Sequence, residues 1–295
     1  MLNIKEIKWQ FPVPGVVIIL RKRKLNVGWG SIVLILATLF FLWPTYWMVI
    51  SAFKDMKVSL QIPPEWFPLT PTIDNFKYLF TKHPVLRWFF NSMLVSTLSA
   101  VGVVLVSSMA AYALAKIQFK SAKPIFALMI AATTLPHALL FIPLFKIVTG
   151  AGIDNTYLGL ILPALGGSYG VFLLKQIMQT MPTSLIDAGR IDGCSELGIY
   201  WRIIMPLSKA GLTTVGIFTF VATWNDYVWQ LITLSGKQMY TLPLGIQLAQ
   251  KLSEFEINYG VGMAGAVLAT LPVLVIFLCF QKYFTKGITM GAVKG

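Results

Sequence analysis

Charge is what this chain has least of: Asp, Glu, Lys and Arg make up 12% of its 295 residues, about half the ~25% usual in soluble globular proteins. So few charges cannot cover a soluble surface, which argues against a soluble enzyme, a disordered linker or a nucleic-acid module. The net charge of +13 does not rescue the last of these, because the basic residues sit between apolar runs instead of clustering on a polar face. Cysteine and histidine are equally scarce, with only Cys194, Cys279, His83 and His137. They form neither a disulfide framework nor a zinc-ligand spacing, so no metal site is expected. A GxxxxGK[ST] phosphate loop is also missing, since Gly236-Lys237-Gln238 lacks both the spacing and the hydroxyl. Energy from ATP would therefore have to come from another polypeptide.

Apolar length takes the place of charge. Hydrophobic residues are 56% of the chain and its mean hydropathy is +0.73. Charge-free stretches run from Lys24 to Lys54, Arg87 to Lys116, Lys123 to Lys146, Asp154 to Lys175 and Glu256 to Lys282. Each is long enough for a membrane helix of ~20 residues. A sixth stretch, after Lys209, is interrupted at Asp226 but resumes from Tyr227 to Leu234. Six spans are predicted at 29–51, 88–115, 124–148, 156–176, 208–234 and 261–283, helical because no backbone amide can stay unpaired in lipid. The prolines Pro44, Pro136, Pro143, Pro163 and Pro272 fall inside them. The fold expected is an all-α polytopic membrane protein. Its parts are an N-terminal segment at 1–28, a six-span domain at 29–284 and a tail at 285–295.

Basic residues orient the spans. With the N-terminus inside, 16 of the 24 Lys and Arg residues fall on the cytoplasmic side, the cluster Arg21-Lys22-Arg23-Lys24 among them. Both termini are thus expected in the cytoplasm. The first apolar run is too long for a cleaved signal peptide and lacks a small-x-small site before its end. The stretch Phe11–Leu20 is too short to span and reads either as a surface segment or as a tail.

The segment 177–207 stands apart from the other loops. Its centre, from Thr183 to Asp192, reads as a short helix, with Pro182 before it, Thr183 as cap and Gly193 as a left-handed stop. A second helix follows over Glu196–Met205. Asp187, Asp192 and Glu196 raise the question of a carboxylate pair, but no nucleophile or metal ligand accompanies them, so no catalytic residue is assigned and a docking helix is the better reading. Polar residues inside spans point to a solute pathway: Asn91, Ser92, Thr133, Thr134, Asn225 and Asp226, with Trp224 and Tyr227 able to stack on a sugar. Helix–helix hydrogen bonding is the alternative for Asn91 and the threonines. An ion-coupled secondary transporter is the competing function, with Asp226 the one acid placed to serve it.

Asp187-Ala188-Gly189-x-x-x-Gly193, then nine residues, then Ile203-Ile204-Met205-Pro206, resembles the EAA motif of ABC-importer permeases. Asp187, Gly189 and Met205 depart from its usual Glu, Ala and Leu. Asn91-Ser92, Trp224-Asn225-Asp226 and the ending Gly291-Ala292-Val293-Lys294-Gly295 are similar to the maltose-transporter-type, carbohydrate-importing subfamily. The resemblance implies a type I importer permease in the bacterial plasma membrane, forming half of a sugar pathway. It also implies a second homologous permease subunit, two ATPase subunits that hold ATP and Mg, and an extracytoplasmic solute-binding protein. Asp187, Ala188, Gly189, Asp192, Gly193, Ile203, Met205 and Pro206 would then couple to the ATPase, and Gly291–Gly295 would form a second contact with it. The outer loop 235–260 would touch the binding protein.

Overall fold

The structure, a computed structural model, describes residues 29–55, 63–117, 119–251 and 257–292. The predicted N-terminal segment at 1–28, with Phe11–Leu20 and the Arg21–Lys24 cluster, lies outside the described residues, as do Val293, Lys294 and Gly295. Within the described residues the secondary structure is helical, apart from one isolated bridge between Lys251 and Ile257.

The chain divides into two units, Met1–Thr45 and Tyr46–Gly295. The described part of the first is the opening stretch of α1 (Trp29–Ala52). It exposes Trp29, Leu34, Phe40 and Phe41, and the Thr38 hydroxyl returns to the Leu34 carbonyl at 2.7 Å, which leaves an apolar surface suited to lipid.

The second unit holds the rest. After α1 come α2 (Asp74–Lys82), α3 (Val85–Lys116), α4 (Ala122–Thr133), α5 (His137–Gly150), α6 (Tyr157–Leu165) and α7 (Ser168–Gln179). The segment between the spans holds α8 (Ser184–Ile191), α9 (Glu196–Ile199), a π-helical turn (Tyr200–Ile204) and α10 (Met205–Leu207). Then follow α11 (Lys209–Asn225), α12 (Val228–Thr233), α13 (Leu242–Ala249) and α14 (Tyr259–Ala292).

Three described helices are long and apolar enough to cross a membrane: Trp29–Ala52, Val85–Lys116 and Tyr259–Gln281. Three bent pairs raise the number of crossings to as many as six. The predicted span 124–148 is not one helix, because α4 and α5 meet at 109°. Thr133 and Thr134 turn their hydroxyls back to the Ile130 and Ala131 carbonyls at 2.7 Å each. Pro136, which has no N–H to continue the ladder, stands immediately before α5. The span at 156–176 is also broken, with α6 and α7 meeting at 42°. The predicted span 208–234 ends early: α11 stops at Asn225 and α12 starts afresh at Val228. At the far end α14 runs on through Ala292, so residues 285–292, expected as tail, are helical.

Helix α3 is the centre of the unit and contributes to three apolar cores. Val85, Trp88 and Ala100 join Leu79, Phe220, Trp224, Leu242 and Val261 in the first. Val103, Ala111 and Tyr112 join Leu174, Met178, Ile186, Ile199 and Ile204 in the second. Val95 joins Val148, Leu160, Trp229 and Leu244 in the third. The second core ties the segment 184–204 to the spans, so the candidate docking helix sits on a rigid base.

Candidate functional site

Helix α8 ends as its sequence requires. Gly193 takes φ +76°, a conformation that costs a side-chain-bearing residue roughly 1–2 kcal/mol. The Cys194 amide reaches the Gly189 carbonyl at 2.9 Å and the Gly193 amide reaches Arg190 at 3.1 Å, the paired bonds of a Schellman stop. The start differs from expectation. Thr183 is already helical, at φ −64° and ψ −28°, and its hydroxyl caps nothing; its carbonyl instead accepts from Ile186 and Asp187. Ser195 caps the second helix, accepting from the Gly198 amide at 3.2 Å.

The motif residues divide between two faces. Asp187, Ala188, Asp192, Gly193 and Pro206 are exposed, and Ile191 beside them is 85% exposed. Gly189 faces the other way and is buried. A Cβ there would stand 3.1 Å from Ile203 Cδ1 and 3.2 Å from Ile199 Cγ1, so its bare backbone is what brings α8 close to the following helix. Ile203 and Met205 are half-buried on that helix and pack into the second core.

Electrostatics hold the two helices together across the Gly193 turn. Arg190 donates from Nε to Glu196 Oε1 at 2.8 Å and lies 3.4 Å from Asp187 Oδ1. Tyr112 of α3 donates to Glu196 Oε2 at 2.6 Å. These two donors, Tyr112 first and Arg190 second, hold the Glu196 carboxyl below its usual range, and the same pairing raises Arg190. Glu196 is thus a fastener. Nearby, Ser108 and Tyr200 share a 2.6 Å hydrogen bond, and Lys116 reaches the Met181 carbonyl at 2.6 Å. The π turn, in which the Met205 amide bonds the Tyr200 carbonyl five residues back, lies just before Pro206. Tyr112, Glu196, Arg190, Ser108 and Tyr200 were not among the predicted site residues. Arg190 and Glu196 flank a left-handed glycine with opposite charge, and that signal was readable; the role of Tyr112 was not.

The residues expected along a solute pathway are placed differently. Asn91 is buried; its Nδ2 donates to the Gln238 and Tyr240 carbonyls at 2.9 and 2.8 Å, and its Oδ1 accepts from Tyr157 at 2.8 Å. Ser92 accepts from the Leu242 amide at 2.8 Å. Trp224 has no exposed surface, donates to the Ala269 carbonyl at 3.0 Å and stacks on Phe220 at 5.8 Å, so its face is not open to a sugar. Asp226 is half-buried and accepts from the Trp229 amide at 3.2 Å, two residues before α12 begins. Asn225 remains exposed and Tyr227 half-exposed. An open cavity of about 490 Å³ lies beside Phe90, Asn91, Leu94, Thr97 and Tyr157.

The family described as "Binding-protein-dependent transport system inner membrane component" matches residues 102–290. The arabinooligosaccharides transport system permease protein AraQ of Bacillus subtilis (strain 168) is 36% identical over 263 residues, 88% of this chain and 92% of its own. The sulfoquinovosyl glycerol transport system permease protein SmoH of Agrobacterium fabrum is 34% identical over 256 residues, 86% of this chain and 89% of its own. The fold is shared with a chain of a bacterial ABC transporter involved in the import of the acidic polysaccharide alginate. That likeness has a TM-score of 0.75 at 19% identity and covers 86% of this chain and 95% of the other. The protein belongs to the binding-protein-dependent transport system inner membrane component family, as a multi-pass, non-enzymatic ABC permease subunit.

Proposed function

We propose that this chain forms half of the translocation pathway of an ATP-driven importer for a sugar or oligosaccharide, and that α8 is the element its ATPase grips. The observation that carries the reading is the exposed face of α8. Asp187, Ala188, Ile191 and Asp192 project from a helix whose other face is packed, Ile186 into the core shared with the spans and Gly189 against Ile199 and Ile203. A force applied to that face is delivered to α3 and α11, because the packed side yields little. Sugar is the substrate class because relatives are named as permeases for arabinooligosaccharides, sulfoquinovosyl glycerol and lactose.

The full assembly in this reading has a second homologous permease, two ATPase subunits that bind ATP and Mg, and an extracytoplasmic solute-binding protein. Both termini of this chain face the cytoplasm, where Gly291–Gly295 supplies a second ATPase contact. Of the predicted pathway set, Asn225 is exposed, Tyr227 is half-exposed and Asn91 borders the open cavity, which makes these three the first to test against solute. Reconstituting the complex with its binding protein and screening saccharides for stimulated ATP hydrolysis tests the reading. A complex that transports on an ion gradient and ignores ATP would overturn it.

A further inference from the structure

Helix α3 runs for 32 residues, about 48 Å at ~1.5 Å per residue, and no proline interrupts it. Each end is fastened to a different loop. Near its start Trp88 Nε1 donates to the Lys237 carbonyl at 2.7 Å, and Asn91 donates to the Gln238 and Tyr240 carbonyls. Ser92 accepts from the Leu242 amide. Three carbonyls and one amide of residues 237–242 are thereby held by consecutive turns of one helix. Near its other end Ser108, Tyr112 and Lys116 bond Tyr200, Glu196 and the Met181 carbonyl, each at 2.6 Å. The crossings built from α4/α5 and α6/α7 lack this continuity, being bent by 109° and 42°, and the long helices α1 and α14 carry Pro44 and Pro272 within them.

We propose that α3 is a transmission strut, with Asn91 and Tyr112 as the positioning residues that fasten it to loop 235–241 at one end and to the α8–α10 segment at the other. The inference rests on the proposed coupling of α8 to an ATPase and adds the route by which that contact reaches the opposite face of the membrane. Both fastenings are made to groups that are costly to strand. Asn91 is buried with both its polar atoms bonded, so losing it leaves loop carbonyls unpaired. Tyr112 bonds a carboxylate, a stronger contact than one between neutral groups. A rigid helix bonded at both ends moves as one body, so displacement of one loop displaces the other.

The test uses the whole permease–ATPase complex in lipid nanodiscs, with Mg-ATP and vanadate as the probe. Cys194→Ser and Cys279→Ser clear the native thiols, and nitroxide labels at Ile191→Cys and Gln238→Cys report the two ends. Trapping is expected to change both spectra in the otherwise native chain. Tyr112→Phe is expected to keep the Ile191 response while cutting the Gln238 response at least about fivefold, the low end of allosteric coupling factors. Asn91→Ala should do the same, and the double variant should do no worse than the larger single effect, as expected for two breaks in one path. Glu196→Gln keeps an oxygen for Tyr112 and should retain most of the response. If Asn91→Ala fails to assemble, Ser92→Ala takes its place. A Gln238 signal unchanged by Tyr112→Phe, additive single effects, or no Gln238 response in the native chain would each overturn the strut. Silence at Ile191 would instead overturn the coupling reading beneath it.

Discussion

Arg190 and Glu196 face each other across the Gly193 turn at 2.8 Å, and this pair closes α8 onto the helix that follows it. Tyr112 and Arg190 both stabilise the ionised carboxylate and depress its pKa in the folded protein. The stability this adds is fully present above the unfolded value, about 4.3 for Glu, and is lost as pH falls through the lower folded value. The expected outcome is a nitroxide at Ile191→Cys whose mobility is constant around neutral pH and rises only under strong acidification. Glu196→Gln should flatten that dependence, since the amide does not titrate in this range.

Gly189 balances two opposed effects. Alanine would gain about 1 kcal/mol of helix propensity, but its Cβ would press on Ile199 Cγ1 and Ile203 Cδ1 at 3.2 and 3.1 Å. The Ile203 contact is with the end of a flexible side chain and yields by a few tenths of an ångström. Gly189→Ala is therefore expected within ~1 kcal/mol of the native chain, neutral to slightly stabilising, while Gly189→Leu overfills the contact and costs ~1–3 kcal/mol. Thermal unfolding of the purified complex measures both. A large loss for alanine would show that the two helices cannot move apart.

Asp226 separates a structural role from a pathway role. Its carboxylate accepts the Trp229 amide, and losing a hydrogen bond to a charged group costs ~1.5–3 kcal/mol. Asp226→Ala should lower the unfolding temperature, whereas Asp226→Ser, which keeps an acceptor oxygen, should recover much of it and retain uptake. Uptake abolished by both changes in a stably folded complex would place the charge itself in the pathway.

These residues also show which features could be read from sequence. The Gly193 stop was legible because a glycine after a short amphipathic run takes the left-handed conformation without the Cβ penalty other residues meet, and the structure has it at φ +76°. The partners to which Asn91 and Trp224 donate were not, because they are backbone carbonyls 147, 149 and 45 positions away. Every residue carries a carbonyl, so the sequence does not mark which one is used. Hydropathy located the apolar stretch 124–148 but could not show its 109° bend, since a window average passes over Thr133, Thr134 and Pro136 alike. Asp226 looked like an interruption within a span because charge signals depth, whereas hydrogen bonding decides where a helix restarts.

The final residues pose a separate question. Gly291 and Ala292 are the last described residues of α14, and they would bring the chain end toward the ATPase on the proposed topology. Deleting Gly291–Gly295 is expected to lower uptake while leaving membrane insertion intact. Transport of radiolabelled sugar into cells, normalised to membrane-inserted protein, measures it, and full uptake by the truncated chain would reduce the tail to a passive terminus.

Gly193 gives the sharpest test of the docking element. Any side chain there must adopt φ +76°, which costs roughly 1–2 kcal/mol unless the turn opens. Opening it breaks the bonds from Cys194 and Gly193 to the Gly189 and Arg190 carbonyls and pulls Arg190 from Glu196. The spans do not depend on this turn, since α3, α7 and α11 pack through Val103, Leu174 and Val215. Gly193→Arg is thus expected to insert in the membrane at native levels but to abolish ATP-driven uptake. Gly193→Asn should keep part of the activity, because Asn tolerates the left-handed region better than other side chains. The checks are membrane abundance, copurification with the ATPase, and uptake, measured on the same preparations. Normal uptake by Gly193→Arg would remove α8 from the coupling path, whereas loss of uptake with the ATPase still bound would show that the geometry of the turn transmits the stroke.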